Sequence, residues 1–145
     1  MCRVDQLRTM SFKSQIQQNA RVIAKLHQRI HETFAYRDDN DQSRSLWKDA
    51  CSEFHNKYNE LAFLGGTSGI RERLRAGDEE AIEYALDFIE VRPYFFRSGY
   101  MYKDFLRVLK NCSLSDGQRE RYDRVRSQYD EYRDQRRSSQ KDKAR

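Results

Sequence analysis

One proline, Pro93, and six glycines punctuate the 145 residues of this chain. So few breakers exclude a fold of many short strands joined by tight turns and leave long helices as the natural reading. Three cysteines, Cys2, Cys51 and Cys112, are odd in number and widely spaced, which is no disulfide framework. No run approaches the roughly 18 apolar residues of a membrane span, and no charged-then-apolar leader opens the sequence. The expectation is a reduced, cytoplasmic protein. Met10 is a candidate internal start, which would make the residues before it dispensable.

Charge and aromatic rings are what the chain has instead. Mean hydropathy is −1.06 and 35% of residues are charged, a composition that leans toward disorder. Aromatic content of 12% pulls the other way and points to a thin core built from rings more than from aliphatics. The net charge of +5 is uneven. Residues 1–40 hold 7 basic and 4 acidic groups, residues 78–111 hold 5 and 7, and residues 134–145 hold 5 and 2. Both ends are basic and the middle is acidic. Arg136, Arg137, Lys141 and Lys143 are candidate nucleic-acid contacts in a basic tail, or a solvated end that keeps the protein in solution.

Apolar periodicity places the elements. Phe12, Ile16, Ile23, Leu26, Ile30 and Phe34 recur at three- and four-residue steps, predicting a helix over 11–36 with Ser11 as N-cap. The run from Arg37 to Asp41 is polar and reads as a loop. Trp47, Cys51, Phe54, Tyr58 and Leu61 mark a second helix over 42–63, capped by Asp41 or Ser43. Gly65, Gly66 and Gly69 follow. They outline a phosphate cradle, but the lysine and preceding strand of a P-loop are missing, and a helix–helix connector is the simpler reading. A short helix over 68–76 ends at Gly77. Asp78 caps a fourth helix, with Glu79 and Glu80 in its first turn, Ile82, Ala85, Leu86 and Ile89 inward, and Pro93 as its stop.

A fifth helix spans 99–109, and Ser115 with Gln118 forms a capping box for a last helix over 116–136. A seven-residue repeat there puts Tyr122, Val125, Tyr129 and Tyr132 along one edge, with pairs such as Arg126 and Asp130 on the charged faces. That edge either packs on the domain or joins a second copy in a homodimer. Residues after Arg136 read as a disordered basic tail. The fold class is all-α, a compact bundle of five main helices plus one short helix in a single domain over 11–136, with a flexible segment at 1–10. The helix–turn–helix pattern of 79–110 resembles a HEAT- or armadillo-like hairpin, in pattern alone and over about a fifth of the chain, and implies no functional residue.

Three constellations are candidates for chemistry. His27 and His31 share one helix face, as do Cys51 and His55 on the next helix, and imidazole with thiolate at that spacing suits zinc. In an antiparallel hairpin, His27 and Cys51 fall at one level while His31 and His55 lie about 10 Å apart along the axis, so His27, Cys51 and His55 are the most that meet on one ion. Cys51 and His55 also sit one turn apart as a nucleophile–base pair, although nothing supplies an oxyanion hole. Glu83, Asp87 and Glu90 line one helical face at spacings of four and three. They read as a solvated outer surface, as acid–base groups in a cleft, or as a dock for a basic partner.

The densest signal lies at 92–103. Five rings occur within 94–102, interleaved with Arg92, Arg97 and Lys103. Such a mixture serves as core, as a protein hot spot or as a stacking platform for single-stranded nucleic acid. The expectation is a non-enzymatic interaction module without a cofactor, binding a protein partner through Arg92, Tyr94, Arg97, Tyr100, Tyr102 and Lys103. The rivals are a nucleic-acid accessory protein and a metal or thiol enzyme.

Overall fold

Scarcity of breakers is realised as helix nearly throughout. A computed structural model describes residues 11–143, with side chains as far as Gln140, so Cys2 and Met10 lie outside the described residues. These residues form six helices and no strand: α1 (Lys13–Phe34), α2 (Asp41–Ala62), α3 (Ile70–Arg75), α4 (Glu79–Val91), α5 (Ser98–Leu109) and α6 (Asp116–Lys143). The architecture is a compact all-α bundle with five main helices and a short one. None of these helices is long and apolar enough to cross a membrane.

Helix α4 is the axis of the bundle. It touches α1, α3, α5 and α6, leaving only α2 out of contact. Tyr84, Ala85, Leu86, Phe88 and Ile89 are all buried, so the helix is covered around its circumference and not along one stripe. Ile16 and Ile23 of α1, Leu74 of α3, and Phe105, Leu106 and Leu109 of α5 complete the core with Phe63. The rings of Phe63 and Tyr84 meet at 4.7 Å, and those of Phe88 and Phe105 at 5.1 Å, both nearly edge-to-face. Each such pair adds about 0.5–1.5 kcal/mol beyond the area it buries.

Covering α4 forces its acidic face indoors, which overturns the reading of Glu83, Asp87 and Glu90 as a solvated surface. Arg121 of α6 reaches all three, at 2.8 Å from Glu83, 2.7 Å from Asp87 and 2.5 Å from Glu90. Asp87 is only 3% exposed. Its second oxygen accepts the Phe12 N–H at 2.8 Å, so the start of α1 is tied to the middle of α4. Ser11 is therefore not the N-cap. Phe12 holds that position, Ser11 accepts the Lys13 N–H at 3.1 Å, and a carboxylate 75 residues away takes the Phe12 amide.

Other helix ends follow their local chemistry. Asn40, and neither Asp41 nor Ser43, caps α2 by accepting the Ser43 N–H at 2.7 Å. Asp78 caps α4 as expected. The Ser115–Gln118 box forms in both directions, at 3.0 and 3.2 Å, and Gln118 also donates to Glu83 at 2.9 Å. The glycine connector after α2 is no phosphate cradle. Arg73 donates to the carbonyls of Leu64 and Gly66, each at 2.7 Å, so the loop turns acceptors inward, the opposite polarity from an anion site. Helix α6 continues to Lys143 instead of ending at Arg136.

Burial alone would raise the Glu83 pKa. Hydrogen bonds from Gln118 and Arg121 and the Arg121 charge more than offset this, and the carboxyl lies below its ordinary 4.5. The unfolded carboxyl therefore takes up its proton first as pH falls. The stability it contributes is complete above about pH 4.5 and is lost as pH drops through the folded value. Replacing Arg121, whose side chain is 26% exposed, by Met leaves three carboxylates facing one another. Urea unfolding of Arg121→Met at pH 7 is expected to show a loss of about 2–4 kcal/mol. Adding Asp87→Asn and Glu90→Gln should restore most of it. A loss below about 0.5 kcal/mol would mean that the cluster contributes no more than an exposed ion pair.

Candidate functional site

The turn between α4 and α5 is built to present side chains. Helix α4 ends at Arg92, whose N–H donates to the Phe88 carbonyl at 2.8 Å from a left-handed backbone with φ of 52°. Arg97, at the N-cap of α5, is left-handed too, with φ of 69°. For a residue with a Cβ each costs about 1–2 kcal/mol. Directly after Arg97, Ser98 closes the turn in both directions. Its Oγ accepts the Phe95 N–H at 3.0 Å and its own N–H donates to the Phe95 carbonyl at 2.9 Å.

This geometry sorts the rings. Phe95 turns inward against Phe88. Tyr94 and Tyr100 stand on the surface, 93% and 79% exposed. Phe96 leans on His27 of α1 and Phe54 of α2, with its carbonyl held by the Tyr58 hydroxyl at 2.8 Å. Tyr102 does not belong to the outer surface that the sequence suggested. At 6% exposure it is core, wedged against Tyr129 of α6 because it lies on the inward side of α5 beside Phe105 and Leu106. Burial pushes its hydroxyl pKa up.

Helix α1 and the turn enclose a groove of about 790 Å³. Its α1 wall holds Ala24, His27, Gln28 and His31, and its other wall runs through the turn to Lys103 and Tyr129. Arg92, Arg97 and Lys103 line it and, among the described residues, no carboxylate does. Among the described residues none of these three cations forms an ion pair. The Arg92 guanidinium lies over the rings of Tyr102 and Tyr132, at 4.8 and 5.5 Å, and that of Arg97 lies over Phe96 at 5.4 Å. Sequence reasoning found the cationic side of this groove and missed the α1 wall, because only the tertiary fold brings residue 27 to residue 96.

His27 and His31 line the groove wall, and His55 does not. Among the described residues no group of three or more His, Cys, Asp or Glu is placed to hold a metal ion. The hairpin of α1 and α2 packs with a register that sets His27 against Phe54 at 5.6 Å and Phe34 against Trp47 at 6.1 Å. That register is one turn away from the one that would put His27 level with Cys51. Cys51 is a half-buried free thiol and His55 is exposed on α2.

Most of the tyrosine edge of α6 packs inside the molecule. Tyr122 and Val125 are buried, and the Tyr122 hydroxyl donates to the Leu106 carbonyl at 2.6 Å. Tyr129 packs on Tyr102 and only Tyr132 remains half open, under Arg92. Arg126 and Asp130 form their expected pair at 3.3 Å. Arg136 and Arg137 are exposed on the far part of α6, and Lys141 and Lys143 fall in its last turn. Comparison of the chain with protein-family models, with curated proteins and with solved structures finds no match.

Desolvation lowers the His27 pKa, with the nearby His31 ring adding to the effect. The two rings lie 4.7 Å apart, nearly perpendicular. The folded state thus disfavours the His27 proton, and the stability this gives is present above pH 6.5 and lost as pH falls through the folded value. An NMR titration of the ring protons should place His27 below 6.5, and His31→Gln should move it upward. A His27 titration at or above 6.5 would contradict the packing against Phe54 and Phe96.

Proposed function

We propose that this chain is a non-enzymatic helical interaction module, an adaptor, inhibitor or regulatory subunit, that binds a protein partner through the α4–α5 turn. The observation that carries this reading is the combination of Tyr94 and Tyr100, almost fully exposed, with three cations at a groove that form no ion pair among the described residues. Exposed tyrosine and arginine are the residues on which protein interfaces most depend. The body of the contact surface is Arg92, Tyr94, Phe96, Arg97, Tyr100 and Lys103. Tyr102 supports it from behind by holding the Arg92 guanidinium. Free thiols at Cys51 and Cys112 support a reducing compartment such as the cytoplasm.

Two left-handed arginines flanking the turn add to this reading. Neither is needed to close the turn, which Ser98 does, and glycine would adopt the same backbone at less cost. Strain kept at a surface site is a mark of function more often than of stability.

The test is affinity capture by the tagged chain from its own cell lysate, at high salt and after nuclease treatment. Tyr94→Ala with Tyr100→Ala should leave unfolding free energy within about 0.5 kcal/mol of the parent, since both rings are in solvent. The retained protein should fall about tenfold or more. Tyr102→Ala is the contrast, costing about 2–4 kcal/mol of stability as a core truncation. Capture undiminished in the double variant overturns the proposal. Capture abolished by nuclease in the parent transfers the function to nucleic acid, with Arg136 and Arg137 as the next residues to test.

A further inference from the structure

The groove carries information about its occupant, on the premise that the α4–α5 turn is an interaction surface. Elsewhere in the molecule several cations are matched by carboxylates. Arg121 has three carboxylates, and Arg71 grips Asp104 with two hydrogen bonds at 3.0 and 2.8 Å. Arg92, Arg97 and Lys103 line one concave surface with no carboxylate on it among the described residues. Gathering like charges beside a partly desolvated wall is unfavourable unless an anion completes it.

The way the two guanidinium groups are held narrows the chemistry. Each lies over a ring, Arg92 over Tyr102 at 4.8 Å and Arg97 over Phe96 at 5.4 Å. A cation–π contact of this kind occupies no N–H donor and leaves the guanidinium its fork of N–H groups, which matches a carboxylate. Pro93, Phe96 and Tyr129 supply apolar wall beside those forks. A volume of about 790 Å³ is the size of a few side chains, within the usual range for sites that enclose a ligand of that scale.

We propose that the groove between α1 and the α4–α5 turn takes an extended acidic segment of a partner protein, two or more carboxylates placed within a few residues of an aromatic or large aliphatic side chain. The carboxylates meet Arg92, Arg97 and Lys103, and the apolar side chain packs on the groove wall that Pro93, Phe96 and Tyr129 form beside His27. A nucleic-acid strand fits less well. It requires cations that track a backbone along a groove. Here every Lys and Arg lies on one wall, while Ala24, His27, Gln28 and His31 of α1 offer none.

The experiment is selection of random 12-residue peptides displayed on phage against the full chain. Selected sequences are then synthesised with a fluorophore and titrated by anisotropy. Enrichment of peptides with two or more Asp or Glu next to Phe, Trp, Tyr or Leu is expected. Their Kd should weaken about tenfold or more in Arg97→Glu with Lys103→Glu, the loss of charge-assisted hydrogen bonds. Arg107→Glu, an exposed change on α5 outside the groove, should leave the Kd within about twofold. Amide shifts in the labelled protein should move at residues 27, 96 and 103.

Selection of neutral or basic peptides overturns the acidic assignment. So does binding of acidic peptides that ignores Arg97→Glu with Lys103→Glu, and so does tighter binding of a thymidine oligonucleotide at the same residues. If lysate capture still depends on Tyr94 and Tyr100 while no acidic peptide is selected, the interaction surface stands and only the nature of the segment is refuted. If capture is independent of those tyrosines, the interaction reading itself fails, whatever the peptides do.

Discussion

Everything in this bundle depends on hiding a helix that carries three carboxylates on one covered face. Helix α4 supplies so much of the apolar core that it must be covered on all sides, yet Glu83, Asp87 and Glu90 lie on one of those sides. An isolated buried carboxylate is costly enough to prevent folding or to take up a proton. Arg121 resolves the conflict by meeting all three at 2.5–2.8 Å, while Phe12 lends a backbone N–H to Asp87. Three segments far apart in the chain, the start of α1, the middle of α4 and the first turns of α6, are thereby fixed to one another. The cluster sets their register as much as their stability, since another pairing would strand a charge.

That junction also decides what happens beyond the C-terminus of α4. With α1 tied at Phe12 and running antiparallel to α2, residues 24–31 pass the C-terminus of α4 and become a wall. With α6 tied at Arg121, two turns further on its Tyr129 reaches Tyr102 and, through it, the Arg92 guanidinium. Ser98, Tyr58 and the left-handed Arg92 and Arg97 then hold the turn so that Tyr94 and Tyr100 face solvent.

Much of the helical skeleton was legible because it rests on local rules. Apolar spacing located every main helix within about two residues at most ends, and Asp78 and the Ser115–Gln118 box behaved as short-range chemistry predicts. Errors arose where a distant partner overrode the local rule. Ser11 lost its capping position because Asp87 took the Phe12 amide, and the acidic face of α4 read as solvated because nothing distinguishes Arg121 from its neighbours Arg119 and Arg124 in sequence. The zinc reading of His27 failed by a hairpin register of a single turn, which loop length alone does not specify. Of the six residues proposed for the contact surface, Tyr102 went inward because its place on α5 aligns with Phe105, a distinction that ring density could not make.

The distribution of charge therefore has two regimes in one small bundle. Where α4 meets α6, three carboxylates converge on Arg121, with Lys13 adding a fifth charge 3.6 Å from Glu90. Just past the C-terminus of the same helix, Arg92, Arg97 and Lys103 line one groove that no carboxylate lines among the described residues. Neutralising the second group would have required only one acidic residue on α1, where Ala24 or Gln28 already faces the groove. Stability alone would favour such a residue, because it would relieve repulsion among three cations and add a partly shielded pair. Two arginines are also held there in a backbone conformation that glycine would occupy more cheaply. Unbalanced charge and retained strain at one surface are the two physical observations on which the proposed binding site rests.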